Sequence, residues 1–220
     1  MANSLGRLQI SITKIMLYFG YGSNMCFPRL LSRVKSAQFL EVARIEGQRL
    51  EFYKRSESGN GASGKATLIA KEENVVFGGL FSLDEQDIGG LRQAEGYPDH
   101  YSEKRVQVAT LSGTKEAMTY IATEAYFDVT QVPYDWYVDL IRFGGRRIGL
   151  PEDYISRFDA VATKPDPDEA RSKRERAYLD EDKAEPVARA NLHSRHAPCG
   201  RLSQHCSIRA QSKSGRCRMA

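Results

Sequence analysis

The sequence has few cysteines and no long apolar run. Of its four cysteines, only Cys26 precedes residue 164, so the first part of the chain has no disulfide framework and has to be stabilised by packing. No apolar segment approaches the roughly 20 residues that a membrane-spanning helix needs. The segment from Met1 to Lys14 also lacks the apolar run and cleavage site of a secretory signal. These absences favour a cytoplasmic protein that does not enter a membrane.

Acidic residues are missing from the end of the chain, between Val187 and Ala220. The net charge of the whole chain is +4, yet residues 1–163 hold 19 Lys and Arg against 20 Asp and Glu, whereas residues 164–220 hold 13 against 8. Because the excess positive charge lies in this tail, it gives no reason to expect a nucleic-acid partner for the protein as a whole. The tail also lacks hydrophobic periodicity, so we expect it to be disordered.

Short apolar runs alternate with turn signals between the two ends. They predict strands, at 16–19, 38–45, 49–53, 66–70, 75–83, 103–109 and 116–123, and helices that begin near Asp84, Pro133 and Pro151. Gly144 and Gly145 are expected to end the second helix. This order of elements indicates an α+β fold in which a mixed, mainly antiparallel sheet forms a small barrel with flanking helices. We expect an N-terminal extension over 1–15, a catalytic domain over 16–163 and a basic, disordered tail over 164–220.

The segment from Tyr21 to Asn24 follows the first predicted strand. Glycine at position 22 allows a tight turn and a close approach of the backbone to a ligand. Successive peptide N–H groups in such a turn can form a concave site for a carboxylate or an oxyanion. The same residues also suit an ordinary turn at the end of a strand, with Asn24 in a left-handed conformation.

A second informative segment ends at Glu95, just before Gly96 and among aromatic residues. A carboxyl group that is partly desolvated in an aromatic-lined site can exchange protons near neutral pH. Taken alone, the segment favours the simpler interpretation that Glu95 is a solvated glutamate at the end of a helix.

The order and spacing of these two segments resemble the γ-glutamylcyclotransferase family, which includes AIG2-like proteins. The resemblance runs from about Met16 to Phe158 and includes the Tyr-Gly-Ser-Asn loop, a Glu-Gly pair about 70 residues later and the late Gly149-Leu150-Pro151 segment. The chain departs from the family's pattern before the glutamate, where Arg92 and Ala94 replace an Asp and a Gln.

This resemblance implies an enzyme that cyclises a γ-glutamyl group and releases 5-oxoproline and an amine. It assigns the acid/base role to Glu95 and needs neither a metal nor an organic cofactor. The implied substrate is a small γ-glutamyl compound, an amino acid or an amine derivative, and the protein is expected to be a monomer or a homodimer. The resemblance also implies these substrate-binding residues: Tyr21, Gly22, Ser23, Asn24, Tyr101, Tyr120 and Tyr137.

Other interpretations of the sequence are weaker. Cys26 follows the loop and could be a nucleophile, but His100 is the only histidine before the tail that could activate it. We expect Cys26 to be a small buried residue and His100 to lie in a surface loop. The tail contains His193, His196, Cys199, His205 and Cys206, whose spacing fits no compact zinc site. A non-catalytic binding module with the same fold remains an alternative, because one fold can carry different functions.

Overall fold

The computed structural model of the protein describes residues 14–57 and 62–180. Five strands form one closed barrel in these residues, in the order β1-β3-β2-β4-β5. The strands are β1 (Ile15–Gly20), β2 (Gln38–Glu57), β3 (Ala62–Asp84), β4 (Tyr101–Thr110) and β5 (Gly113–Ala122). The barrel closes where Tyr18 of β1 pairs in parallel with Met118 of β5, and its other strand pairs are antiparallel. The predicted α+β fold, with a mixed and mainly antiparallel barrel, is confirmed.

Five α-helices flank the barrel in the same residues. They are α1 (Phe27–Arg33), α2 (Gly89–Glu95), α3 (Asp135–Ile148), α4 (Glu152–Ile155) and α5 (Glu169–Arg176). None of the helices in this part of the chain is long and apolar enough to cross a membrane. The predicted helix at Asp84 begins as a short 3-10 turn, Glu85–Asp87, before α2, and the side chain of Asp84 accepts a hydrogen bond from the backbone N–H of Gln86.

Two long strands replace four short ones of the prediction. The β2 and β3 strands pair over most of their length with three register shifts, one of which lies between Glu46 and Gln48. Gly47 lies at this irregularity with a φ of 70°. A bulge of this kind bends a strand without ending it, so residues 46–48, which separate two of the predicted strands, continue β2.

Helix α3 continues through Gly144 and Gly145, so the prediction that they end it is wrong. A Cβ atom at position 144 would lie 2.3 Å from the backbone nitrogen of Cys26. Glycine there lets the helix lie directly against the backbone that follows the Tyr21–Asn24 segment. The helix ends instead at Ile148, where Gly149 adopts a left-handed conformation with a φ of 82°.

The folded domain extends beyond residue 163, where we predicted its end. The side chain of Asp166 is buried, and its carboxylate accepts hydrogen bonds from Trp136 Nε1 at 2.8 Å and from Arg171 Nε at 2.7 Å. Helix α5 follows, with the side chain of Asp168 capping its first turn. The expectation of disorder is therefore wrong for residues 164–180, which pack on α3. The histidines and cysteines of the tail lie outside the described residues.

Two groups of buried apolar side chains hold the helices against the barrel. Helix α3 packs on one side through residues such as Trp136 and Leu140, which belong to one buried cluster with Phe19 and other barrel residues. Leu30 of α1 and Leu91 of α2 pack on the other side. Between these two groups the β1 strand leads directly into the predicted substrate loop.

Candidate active site

A cavity of about 220 Å³ brings the predicted site residues together. Its walls come from the end of β1, helices α1 and α2, strands β2 to β5, the start of α3 and helix α5. Every predicted site residue lines this cavity, namely Tyr21, Gly22, Ser23, Asn24, Glu95, Tyr101, Tyr120 and Tyr137. Residues as far apart in sequence as the loop and α3 therefore share one pocket, while their individual roles stay predictions.

The loop after β1 forms a 3-10 turn, Ser23–Met25, rather than a turn with a left-handed asparagine. The backbone N–H of Met25 donates to the carbonyl oxygen of Gly22 at 3.0 Å. A helical turn leaves its own first N–H groups without a partner inside the turn, and here these belong to Gly22, Ser23 and Asn24. A Cβ atom on Gly22 would lie 3.2 Å from that of Ala66, so glycine lets the turn approach β3 closely.

Glu95 is the last residue of α2 and its side chain is 14% exposed. Its Oε1 atom accepts hydrogen bonds from Asn24 Nδ2 at 3.0 Å and from Arg33 at 2.8 Å. Arg33 also donates to Oδ1 of Asn24 at 2.7 Å, so the three side chains form a closed triangle. No described residue hydrogen-bonds to Oε2 of Glu95, and the Glu95 side chain lines the cavity.

Sequence reasoning missed Arg33 because it missed helix α1. Two signals were present: Pro28 suits the first turn of a helix, and Arg29 and Arg33 are four residues apart, which places them on one face. Both arginines line the cavity. Gly90 helps to bring the two helices together, since a Cβ atom there would lie 2.2 Å from the carbonyl oxygen of Arg33.

The predicted pocket tyrosines are tied to the protein's own backbone. The Tyr21 hydroxyl donates to the carbonyl oxygen of Tyr120 at 2.5 Å, and that of Tyr101 donates to Ala66 at 2.8 Å. The Tyr137 hydroxyl accepts a hydrogen bond from the Ala66 N–H at 3.1 Å. Burial raises the pKa of all three phenols, so they stay neutral. These tyrosines shape the walls of the pocket, and their hydroxyl groups are already engaged.

Two further tyrosines have different surroundings. The Tyr120 hydroxyl donates to Glu103 at 2.9 Å, and Glu103 also pairs with Arg92. Arg92 is one of the two residues at which the chain departs from the family's pattern. The Tyr18 hydroxyl accepts a hydrogen bond from Asn24 Nδ2 at 2.7 Å. Sequence reasoning assigned Tyr18 only to a buried strand, and no local signal marks it as a site residue.

The sequence also gave no indication of a basic wall. Lys65 of β3 lines the cavity with Lys54, Arg29 and Arg171. Burial lowers the pKa of Lys65 well below its usual value, and the charges of Arg29, Arg171 and Lys54 lower it further. The Lys65 ammonium group lies 4.2 Å from the ring centre of Trp136. This part of the cavity therefore concentrates positive charge among aromatic rings.

Cys26 and His100 do not form a catalytic pair. Cys26 is buried, and this burial raises its pKa to about 11, so its thiol is protonated at neutral pH. His100 lies in a bend at the cavity, where its ring centre is 4.1 Å from that of Tyr126. Within residues 14–57 and 62–180, no three acidic, histidine or cysteine side chains are grouped as metal ligands.

Known proteins share this fold and part of this sequence. A solved structure of a γ-glutamyl cyclotransferase superimposes with a TM-score of 0.63 and 26% identity, and the match covers 73% of this chain and 99% of that one. A yeast γ-glutamyl cyclotransferase described as specific to glutathione has a TM-score of 0.51 at 13% identity, over 66% of this chain and 93% of that one. At this low identity the yeast structure supports the fold alone.

Sequence comparison gives the family. The γ-glutamylcyclotransferase of Homo sapiens is 30% identical over 151 residues, which cover 66% of this chain and 78% of that protein. The model of the family described as "Gamma-glutamyl cyclotransferase, AIG2-like" matches residues 18–138, which include the loop, Glu95 and all of the predicted pocket tyrosines. The chain belongs to the AIG2-like γ-glutamyl cyclotransferase family.

Proposed function

We propose that the protein cyclises the γ-glutamyl group of a small molecule, with Glu95 as the general acid and base. The observation that carries this proposal is the position of Glu95. Oε1 is fixed by Asn24 and Arg33, Oε2 has no hydrogen-bond partner among the described residues, and the side chain lines the cavity together with the Tyr21–Asn24 loop. A carboxylate that is held on one oxygen and open on the other can exchange a proton with a bound substrate without moving.

The reaction is an intramolecular acyl transfer. The α-ammonium group of the glutamyl half gives a proton to Glu95, and the resulting amine attacks the γ-carbonyl carbon. The new carbon–nitrogen bond closes a five-membered ring. When the tetrahedral intermediate collapses, the bond to the leaving nitrogen breaks and Glu95 returns its proton to that nitrogen. The ring nitrogen gives up its second proton, which the released amine takes up to leave as an ammonium ion. The products are 5-oxoproline and a free amine, and no water is consumed.

The Tyr21–Asn24 loop is suited to hold the glutamyl half of the substrate. The N–H groups of Gly22 and Ser23 can donate to its α-carboxylate or to the developing oxyanion. Asn24 contributes less directly than we expected, because its side chain is already bonded to Glu95, Tyr18 and Arg33. The closely packed tyrosines can keep the glutamyl chain curled, so that the amine and the carbonyl carbon meet.

Replacement of Glu95 by glutamine tests the proposal. The variant keeps the shape of the side chain but cannot accept the proton, so we expect kcat on γ-glutamyl-alanine to fall by about 10²- to 10⁴-fold. Release of 5-oxoproline measures the rate. The matched control is Glu116→Gln, because Glu116 is exposed and pairs only with Arg105 among the described residues.

Two results would contradict the proposal. Near wild-type activity of Glu95→Gln would remove Glu95 from the mechanism. Absence of 5-oxoproline release by the wild-type protein from a panel of γ-glutamyl amino acids, γ-glutamyl amines and glutathione would favour a non-catalytic binding module.

A further inference from the structure

Two arginines of helix α1 line the cavity, but only one of them binds Glu95. Arg29 and Arg33 are four residues apart, so they project from the same face of the helix, and both line the cavity. Arg33 donates to Oε1 of Glu95 at 2.8 Å. In the described chain Arg29 forms no hydrogen bond with Glu95, although Oε2 of this carboxylate has no partner there. The position of Arg29 therefore depends on another group.

That group is Glu175, near the end of helix α5. Its carboxylate forms an ion pair with the Arg29 guanidinium, and the side chains of Glu175 and Arg29 are only 15% and 8% exposed. Arg29 also lies 5.8 Å from the ring centre of Trp136 and 6.0 Å from that of Tyr178. Both members of the ion pair line the cavity, so the pair belongs to the site and not to the outer surface.

Contacts on both sides of Glu175 hold helix α5 in place. Arg171, one turn earlier on α5, is bound to the buried carboxylate of Asp166. After the helix, the Tyr178 hydroxyl donates to Oγ of Ser32 on α1 at 3.1 Å. The segment that follows residue 163 therefore supplies a fixed negative charge to the site.

The charges of Arg29 and Glu95 interact although the two side chains are not bonded. Burial and the charge of Arg33 lower the pKa of Arg29 to about 10, whereas the charge of Glu95 acts in the opposite direction. Arg29 is therefore a cation at neutral pH, and Glu175 neutralises it. A buried cation without its partner is strongly destabilised. Glu95 would offer it a new partner, because a guanidinium group matches a carboxylate oxygen that is still free.

We infer that Glu175 is a positioning residue for the reaction, which acts on Glu95 through Arg29. By binding and neutralising the Arg29 guanidinium, Glu175 keeps it from competing with the substrate's α-ammonium group for the Glu95 carboxylate. This inference rests on the proposed γ-glutamyl cyclisation. Glu175 does not have to touch the substrate to have this effect.

Other titratable groups also surround Glu95. The phenols that interact with its charge stay neutral because burial raises their pKa values: Tyr18, Tyr21, Tyr101, Tyr120 and Tyr137. The remaining groups of this kind are Arg92 with its partner Glu103, and those that line the cavity, namely Lys54, Lys65, His100 and Arg171 with its partner Asp166. They are the same in every variant of the test, so differences between the variants report the pair of Arg29 and Glu175.

A double-mutant cycle tests this inference. Glu175→Met leaves the charge of Arg29 unpaired, and a nearby positive charge favours the ionised form of a carboxyl group and weakens it as a base. We expect kcat/KM for γ-glutamyl-alanine at neutral pH to fall by about 10-fold. The acidic limb of the pH profile, where the essential base becomes protonated, should move down by about one pH unit.

Arg29→Met should move the acidic limb in the opposite direction, up by about one pH unit, because it leaves the Glu175 carboxylate unpaired beside Glu95. In the double variant Arg29→Met/Glu175→Met both charges are gone, and apolar residues often replace a buried ion pair without loss of stability. Its acidic limb should lie within about 0.3 pH unit of that of the wild type. If Glu175→Met only loosened helix α5, a second substitution on α1 would not reverse the shift.

The matched control is Glu152→Met. Glu152 pairs with Arg146, and these side chains are 65% and 50% exposed. Neither of them lines the cavity. Solvent and salt screen an exposed charge, so this variant should keep the pH profile of the wild type.

A measurement without turnover separates this inference from the proposed function. The ¹³C signal of the Glu95 carboxyl group, identified by its absence in Glu95→Gln, can be titrated in each protein. We expect its midpoint to fall by about one pH unit in Glu175→Met and to rise by about one unit in Arg29→Met. In the double variant it should return to the wild-type value.

Each outcome decides between the possibilities. Equal pH profiles for the wild type and Glu175→Met, or a shift that the added Arg29→Met change does not reverse, would overturn the role of Glu175 and leave cyclisation intact. If the wild type releases no 5-oxoproline, the proposed function fails and the carboxyl titration decides. Shifts of opposite sign that cancel in the double variant would then support the control of Glu95 by Glu175, whereas equal midpoints would overturn it.

Discussion

Replacing Asp166 with asparagine should destabilise the fold, because this carboxylate ties the segment after residue 163 to helix α3. Its Oδ2 atom accepts hydrogen bonds from Trp136 Nε1 at 2.8 Å and Arg171 Nε at 2.7 Å, and Oδ1 accepts one from the Asp168 N–H at 2.9 Å. Asparagine has nearly the same shape, but it cannot carry the negative charge that Arg171 faces.

The expected loss follows from the ionisation of Asp166. Burial raises the pKa of this carboxyl group, but the hydrogen bonds from Arg171, Asp168 and Trp136 outweigh burial and hold the pKa at about 2. A lowering of nearly two pKa units corresponds to about 2.5 kcal/mol of folding free energy at neutral pH. Because the variant also leaves the charge of Arg171 less compensated in a buried position, we expect a total loss of about 2–4 kcal/mol.

Urea unfolding followed by circular dichroism measures this loss in free energy. The control is Asp159→Asn, which removes a charge from an ion pair with Arg142 at 2.7 Å, but at a side chain that is 56% exposed. Exposed ion pairs contribute about 0–1 kcal/mol, so this variant should be almost as stable as the wild type.

The pH dependence has a definite sign. A carboxyl group whose pKa is lowered by folding stabilises the protein above its unfolded pKa and loses this contribution as pH falls through the folded value. The difference between wild type and Asp166→Asn should stay constant between pH 7 and about 5, and shrink from about pH 4 towards 2. If Asp166→Asn loses no more stability than Asp159→Asn at pH 7, residues 164–180 are not fastened to the fold as we describe.

Two further variants test how the site is positioned. Asn24→Ala should lower kcat by about 10- to 100-fold with little change in KM, because it removes one of the hydrogen bonds that hold Glu95; a change confined to KM in steady-state assays of 5-oxoproline release would refute this. Gly144→Ala should cost about 1–3 kcal/mol of stability in thermal unfolding, since its Cβ atom would overlap the backbone at Cys26. Gly89→Ala, where no atom lies within 4 Å of the new Cβ atom, should be close to wild type, and equal melting temperatures for both glycine variants would contradict the packing argument.

The sequence by itself determined the class of fold and the two segments at the centre of the site. Alternating apolar runs and turn residues are local signals, and they indicated a mainly antiparallel barrel with flanking helices. The Tyr21–Asn24 loop and Glu95 were recognisable because a glycine-bearing turn after a strand and a glutamate before a helix-ending glycine each leave a short pattern. The lengths of the strands and helices could not be predicted as well. Strand β2 continues through a bulge at Gly47, and helix α3 continues through Gly144, although glycine is a local signal for the end of an element.

Only the tertiary structure decided which charges surround the site. Arg33 and Glu95 are separated by 62 residues, and no short pattern connects them. Lys65 looks like any lysine of a strand until β3 is placed opposite Lys54 and beneath Trp136. Residues 164–180 are polar around most of their surface, and they are held by the buried pair of Asp166 and Arg171 rather than by an apolar face. Hydrophobic periodicity detects apolar burial alone, so elements fixed by paired charges become visible only when the chain is folded.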